Sequence, residues 1–282
     1  MLLRNKIIKR IWKEHKNKIV FIYGINALES LLFLLVPYCA GLLIDSFIYS
    51  KGYGLYIFAG VYLSWQIVAV FRRITDTKIF TNLFNSECQY LIEKSQSENL
   101  ENSIINARVE LMKQVVDFFE SDLPFVTNSI ISIFGSAFLL YTYSPKLVAT
   151  SLIIVLPSIL INSHYSKKIK KVTESINDCY ETQIDVIESK DRQKIKKYFD
   201  EIRINNIKKS TYEAFNFNLI EIFVLAMILS SVYVICKTEN LNYGSVAASY
   251  GIILRFAYGF DFLPHTTSKL ASLKDIIERL EK

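Results

Sequence analysis

The chain has 282 residues, of which 51% are hydrophobic and 13% are aromatic, and it carries a formal net charge of +6. This composition, with only nine glycines and five prolines, is typical of a membrane protein and disfavours a soluble enzyme of two domains. The four cysteines and three histidines are scattered along the chain, so neither a disulfide framework nor a metal site is indicated.

The N-terminal segment, residues 1–18, mixes basic and apolar residues at helical spacing. This pattern predicts an interfacial helix on the inner leaflet, although a basic anchor that only sets the topology explains it equally well. The apolar run that follows is too long for a signal peptide and lacks a small-residue cleavage site, so we expect it to be retained. The apolar side of the predicted helix carries Leu3, Ile7, Ile8, Ile11 and Trp12.

Six apolar segments are candidates for transmembrane helices, since about 20 helical residues cross a hydrocarbon core. The fourth segment is short and contains Pro157, so its assignment depends on its neighbours. The expected fold class is therefore an all-α membrane protein with six long helices. The predicted spans are residues 19–48, 54–71, 123–143, 147–163, 217–236 and 243–263.

The distribution of Lys and Arg predicts the orientation of these helices. The three short connections contain Lys51, Lys146 and Lys237, whereas the N-terminal arm and the two long connections are rich in basic residues. Both termini are therefore expected to face the cytoplasm of a plasma (inner) membrane, with lipid surrounding the spans. Because basic and acidic residues are interleaved, no nucleic-acid partner is expected.

Two connections of about fifty residues, 72–122 and 164–216, predict helical extensions into the cytoplasm. Neither contains proline or glycine, and each keeps apolar residues at helical spacing, such as Ile105, Val109 and Met112 in the first. The spacing indicates two helical hairpins with one apolar face each. At 1.5 Å per residue, each hairpin reaches roughly 50 Å from the membrane centre.

The hairpins are predicted to turn near Glu98–Asn106 and Ser189–Lys196. Because the two hairpins have the same reach, we expect their tips to be docking points for a cytoplasmic partner, although solvated turns are the simpler alternative. The candidate contact residues at the tips are Glu98, Leu100, Asn102, Ser189, Asp191 and Arg192.

Ionisable residues inside the predicted spans are candidates for function because burying them in lipid is costly. Glu29 in the first span and Arg255 in the sixth fall at broadly similar depth. They are expected either to pair with each other or to face a water-filled cavity and meet a charged substrate. Glu221, early in the fifth span, lies nearer the cytoplasmic interface.

Several stretches carry a family resemblance. LLFLLVPYCAGLLIDSF, residues 31–47, has a proline followed by a glycine and an Ile-Asp pair, and SIINARVELMKQVVDFFESDLP, residues 103–124, has an arginine followed by acidic residues. YETQIDVIES, residues 180–189, has Glu188 at the usual acidic position, but Ser189 and Lys190 stand where a glycine is usual. Together with the six-helix organisation, these stretches resemble the transmembrane domain of ABC exporters of the type I fold.

The resemblance implies a coupling helix at each hairpin tip and a nucleotide-binding ATPase subunit docked there. The chain contains no G-x-x-x-x-G-K-[ST] loop, so it is not expected to be an enzyme or to have catalytic residues of its own. No cofactor is expected in this chain; the resemblance places ATP and Mg²⁺ on a separate partner subunit. It also implies a second transmembrane half, as a homodimer or a heterodimer.

The leading interpretation is a membrane-spanning permease subunit of an ATP-driven exporter, energised by a separate ATPase chain. One alternative is an ion-coupled carrier that uses Glu29 and Arg255 directly, although the long hairpins and the lack of an internal repeat disfavour it. The other is a non-transporting membrane scaffold or regulator with an exporter-like fold. The sequence does not indicate the substrate.

Overall fold

The computed structural model describes residues 6–238 and 241–261, together with residues 269, 273 and 276. These residues are helical apart from short turns, and the all-α architecture predicted from the sequence is confirmed. A π-helical segment, Phe118–Asp122, joins α3 to α4. The helices are α1 (Lys6–Ile48), α2 (Tyr53–Ser97), α3 (Asn102–Asp117), α4 (Leu123–Tyr143), α5 (Pro145–Ser151), α6 (Val155–Glu181), α7 (Gln183–Glu188), α8 (Arg192–Lys237) and α9 (Tyr243–Asp261).

Five helical stretches among the described residues are long and apolar enough to cross a membrane, one fewer than predicted. The predicted sixth span corresponds to α9, whose apolar character is reduced by Arg255 and by several tyrosines, serines and glycines. Residues 262–263 of that predicted span lie outside the described residues. Helix α9 packs against α1 and α4 and buries Ile252, Ile253 and Phe256.

The helices define two ends of the molecule. Short connections at residues 49–52, at Ser144 and around residues 241–242 lie at the loop end. The opposite, hairpin end contains two turns. The first hairpin, α2 and α3, turns at residues 98–101, and the second hairpin, α6 to α8, turns at residues 189–191. Both turns therefore lie within or next to the predicted ranges.

Helix α1 is continuous from Lys6 to Ile48, which corrects the prediction of a separate interfacial helix over residues 1–18. The described part of that segment extends the first span towards the hairpin end. The physical reason is burial: Ile11 and Ile19 are almost fully buried in an apolar cluster with Phe80 and Leu83 of α2. Helix packing therefore holds this arm against the first hairpin. Leu3 lies outside the described residues.

The predicted fourth span, residues 147–163, is divided by a break at residues 152–154, between α5 and α6. Helix α5 begins where the Ser144 hydroxyl accepts a hydrogen bond from the Lys146 N–H, with Pro145 at the first helical position. Thr150 and Ser231 share a 2.8 Å hydrogen bond between their hydroxyls. This contact ties α5 to α8 next to the break.

One backbone carbonyl of the π-helical segment lacks a partner within the helix. The hydrogen bonds of this segment run to the fifth residue onward, and Pro124 has no N–H to offer the Phe119 carbonyl. The Tyr23 hydroxyl of α1 donates to that carbonyl at 2.7 Å, and Asn26 Nδ2 donates to the Pro124 carbonyl at 3.4 Å. Side chains of α1 therefore satisfy backbone groups beside the irregular turn and fix its position.

The second hairpin is held together by amide contacts between α6 and α8. Asn205 Nδ2 donates to Ser175 Oγ at 2.9 Å, and Asn216 Nδ2 donates to Asn162 Oδ1 at 3.2 Å. Asn216 is fully buried. These polar pairs fix the register of the two long helices relative to each other.

At the loop end, the backbones of α1 and α9 approach closely at two glycines. A Cβ atom added to Gly41 would overlap the Gly244 carbonyl oxygen, and one added to Gly244 would overlap the Gly41 carbonyl oxygen. Asp45 Oδ1 of α1 accepts a 2.8 Å hydrogen bond from the Gly244 N–H in the first turn of α9. The two helices are therefore joined directly at this end.

We expect Gly41→Ala to destabilise the protein by about 1–3 kcal/mol, because the added methyl group forces α1 and α9 apart. The matched control is Gly60→Ala in α2, where an added Cβ meets nothing within 4 Å. Thermal unfolding in detergent measures both variants. A midpoint for Gly41→Ala equal to that of the control would contradict the close contact.

Candidate functional site

A cavity of about 500 Å³ lies between α1, α2, α4 and the π-helical segment, with Tyr258 of α9 on its wall. Its side chains are aromatic on the loop-end side and charged on the hairpin-end side, so it suits a solute with polar and apolar parts. Among the lining residues are Glu29, Phe33, Trp65, Arg72, Arg73, Asp76, Glu120 and Asn128.

Arg72 of α2 is the central charge of this cavity. Its guanidinium forms ion pairs with Glu29 of α1 and with Asp76 one turn further along α2. Arg72 and Glu29 each have 18% of the side chain exposed, and Asp76 has 8%. Two carboxylates share one guanidinium, so this triad carries a net negative charge and ties α1 to α2 in a partly dry environment.

This geometry corrects one of the two expectations for Glu29 and Arg255. Among the described residues no ion pair joins them, since Glu29 is held by Arg72 instead. Arg72 was not among the predicted site residues, because it is the first residue after the predicted second span. A signal was available: Glu29 lies 21 residues before Ser50 and Arg72 lies 21 residues after Lys51, which places them level in an antiparallel helix pair.

Arg255 lies behind the cavity wall and is buried. Its Nη2 donates to Asn128 Oδ1 at 3.0 Å, and its guanidinium carbon lies 3.8 Å from the ring centroid of Phe33 and 5.0 Å from that of Tyr258. Its Nε has no hydrogen-bond partner within the described residues. Arg255 therefore does not line the cavity itself. Its positive charge lies directly behind three residues that do, Phe33, Asn128 and Tyr258.

Glu120 lies in the π-helical segment and lines the same cavity. No salt bridge to it is formed within the described part of the chain, and Asp76 and Asp117 are close enough to interact with it electrostatically. Its neighbour Asp122 is buried and lies 3.6 Å from Lys269 Nζ. Sequence reasoning did not single out Glu120, because a π-helical turn shifts side-chain direction away from regular helical spacing.

The third predicted ionisable residue, Glu221, is separate from this cavity. It lies half-buried on α8 and is not among the residues that line the cavity. Helix α8 packs against α6, α5 and α9 rather than against α1 and α2. The structure therefore brings Glu29 and Arg255 to one region of the molecule and leaves Glu221 elsewhere.

The candidate residues of the first tip lie at the turn between α2 and α3. Glu98 follows the end of α2 and lies 3.7 Å from Lys94 Nζ and 3.6 Å from Arg108 Nη1. Asn99 has a positive φ of 55°, which reverses the chain direction. Leu100 is half-buried and Asn102 begins α3. The tip is a tight turn without a helix of its own.

The second tip has a short helix, α7, followed by a turn at residues 189–191. Lys190 has a positive φ of 51° at the place where the resemblance leads one to expect a glycine. Asp191 Oδ1 accepts hydrogen bonds from the N–H groups of Gln193 at 2.8 Å and Lys194 at 3.4 Å, so Asp191 caps α8. Ser189, Asp191 and Arg192 are exposed.

Comparison with known protein families gives a match over residues 8–256 to the ABC transporter transmembrane region. A comparison with curated proteins gave no match. The family match includes both hairpins, Arg255 and every lining residue of the cavity except Tyr258, and it confirms the resemblance to the transmembrane domain of ABC exporters. The chain therefore belongs to the family of ABC transporter transmembrane regions.

Proposed function

We propose that this chain is the membrane-spanning permease subunit of an ATP-driven exporter, inserted in the plasma (inner) membrane with both termini in the cytoplasm. The observation that carries the proposal is that one uninterrupted helix, α2, joins the cavity to the first tip. Helix α2 holds Arg72 and Asp76 on the cavity wall and runs without interruption to the first tip at residues 98–101. A displacement of the tip is thereby transmitted to the charged wall of the cavity.

We infer that a separate ATPase subunit with ATP and Mg²⁺ supplies the energy, and the lack of a G-x-x-x-x-G-K-[ST] loop among these 282 residues supports the inference. We place its contacts at the two tips. Both present exposed polar and charged side chains on turns that rigid helices hold in place, which supports a docking role. The alternative is that the tips are solvated turns that bind no partner. That alternative does not explain why both hairpins are so long.

A second transmembrane half, identical or related, completes the assembly. The second hairpin supports this step, because α8 exposes large apolar side chains along the part predicted to lie outside the membrane. Exposed apolar surface outside lipid calls for a protein neighbour. The exposed residues are Phe199, Ile204, Ile207 and Phe215.

The experiment is affinity purification of the tagged protein from its native membrane, followed by mass spectrometry and ATP-turnover measurements in lipid nanodiscs. We expect a co-purifying ATPase and hydrolysis that vanadate inhibits. A chain that purifies alone and shows no turnover would overturn the proposal. Solute movement in vesicles driven by a proton gradient without nucleotide would establish the ion-coupled carrier instead.

A further inference from the structure

A second cluster of ionisable side chains lies outside the cavity, where the N-terminal arm of α1 packs against α2. Arg10, Glu14 and His15 come from α1, and Glu87 and Tyr90 come from α2. We call these five residues the arm cluster. The neighbouring buried apolar residues, among them Ile11, Phe80 and Leu83, hold the two helices together and therefore fix the cluster's geometry.

Three residues of the arm cluster offer ligand atoms to a metal ion. Each of these residues, Glu14, His15 and Glu87, offers one ligand atom, and the three atoms lie within 4.8 Å of one another. The distance between His15 Nε2 and Glu87 Oε1 is 3.7 Å. Two ligands bound at about 2.0–2.2 Å to one tetrahedral Zn²⁺ ion are roughly 3.4 Å apart. The His15 and Glu87 atoms, at 3.7 Å, are close to that separation, and small side-chain rotations bring all three ligand atoms to it.

The environment of Glu87 favours a bound cation. Only 2% of its side chain is exposed, and Oε1 has no hydrogen-bond donor within the described residues. A buried carboxylate oxygen without a donor is unfavourable, and a metal ion coordinated to it removes that cost.

His15 supplies the imidazole nitrogen of the arm cluster, and Nε2 is the atom that lies nearest to the buried Glu87 carboxylate, at 3.7 Å from Oε1. A neutral imidazole nitrogen is a ligand, whereas an imidazolium is not. His15 Nε2 also lies 3.4 Å from Ser86 Oγ, a contact that a bound ion replaces.

Arg10 orients the two carboxylates and does not occupy the site. Its Nε lies 3.1 Å from Glu14 Oε1 and 3.7 Å from Glu87 Oε2, so Glu87 Oε1 remains directed towards His15. Its guanidinium carbon lies 3.0 Å from the centroid of the Tyr90 ring, which fixes its position. Metal-binding carboxylates are commonly held by such partners. Two carboxylates and one guanidinium leave a net charge of −1 for a divalent cation.

We propose that Glu14, His15 and Glu87 bind a divalent transition-metal ion, Zn²⁺ by preference, which fastens the N-terminal arm to α2. An imidazole with two carboxylates suits Zn²⁺, whereas Mg²⁺ and Ca²⁺ prefer oxygen ligands alone. Three protein ligands leave the fourth position to water, which reaches the cluster beside the exposed Glu14. The site lies apart from the cavity, and the bound ion joins the N-terminal arm of α1 to α2.

The test uses the full-length protein in detergent, purified with a tag free of histidine and stripped with EDTA. The exposed thiol of Cys236 is removed by Cys236→Ser. Zn²⁺ is titrated against a chromophoric chelator, and thermal unfolding is followed with Zn²⁺ and with Mg²⁺. We expect one tight Zn²⁺ per chain and a higher unfolding midpoint with Zn²⁺ only. His15→Ala and Glu87→Gln should weaken binding by about 10–100-fold.

Two further variants keep this test decisive. His164→Ala removes an exposed histidine of α6 and should leave Zn²⁺ binding unchanged. Glu14→Gln alters a side chain with 47% exposure, so the fold tolerates it, and it should still weaken binding at least tenfold. Affinities that stay the same in Glu14→Gln and His15→Ala, or no binding at micromolar Zn²⁺, would overturn the proposal.

Discussion

Replacing Arg72 with glutamine is expected to destabilise the protein by about 3 kcal/mol, the lower end of the effect of breaking a buried ion pair. The change leaves Glu29 and the buried Asp76 close together without the guanidinium that neutralises them. The lower value is appropriate because about a fifth of Arg72 and of Glu29 is exposed. Equilibrium unfolding in mixed detergent micelles measures the free energy.

The matched control for that variant is Arg73→Gln. Arg73 is the next residue of α2 and lines the same cavity, but it is exposed and forms no ion pair within the described residues. Its substitution should change the free energy of unfolding by less than about 0.5 kcal/mol. Adding Glu29→Gln to Arg72→Gln should recover part of the loss, since it removes one unpaired carboxylate. Equal losses for Arg72→Gln and Arg73→Gln would refute the importance of the triad.

The second large effect is expected from Asp191→Pro at the second tip. Proline removes the cap of α8 and the N–H that donates to Ser189 Oγ, and it disfavours the positive φ of the preceding Lys190. We expect export and stimulation of the partner's ATP hydrolysis to be abolished. Membrane insertion should be unaffected, because the turn lies far from the apolar spans.

Asp191→Asn is the control for this substitution, because asparagine caps a helix as well as aspartate does. It should retain most of the ATPase stimulation, which separates loss of the turn from loss of the charge. Protease protection and yield from the membrane fraction check insertion of both variants. Unchanged transport by Asp191→Pro would show that the second tip does not dock the ATPase.

Much of the fold follows from sequence because its strongest signals are long and regular. The absence of proline and glycine over residues 72–122 predicts the continuous helices, and α2 indeed continues through Phe71 and Arg72 to Ser97. The expected sixth span was not confirmed, because Arg255 and several tyrosines, serines and glycines make α9 less apolar than the other five stretches. The boundary predicted after residue 18 is absent from α1, since Ile11, Ile19 and Ile22 lie on one continuous buried face of the helix.

The site was predictable only in part. The free-energy cost of placing a charged side chain in the membrane identifies Glu29 and Arg255 as candidate site residues. It does not identify their partners, because these depend on which helices are neighbours. Asn128 and Phe33 meet Arg255 only because α9 lies between α1 and α4. The arm cluster shows the same limit, since Glu87 is more than seventy residues from Glu14 and His15 and no motif spacing links them.

The break at residues 152–154 gives the second hairpin a mechanical property. Helix α6 has 27 residues, so it is a rigid rod of about 40 Å that begins at an interrupted stretch of backbone. A rotation of this rod by about 10° moves its far end by about 7 Å. Because Asn205 and Asn216 join α6 to the uninterrupted α8, we expect the two helices to turn together, and a spectroscopic label near the second tip to report small angular changes inside the bundle at a magnified scale.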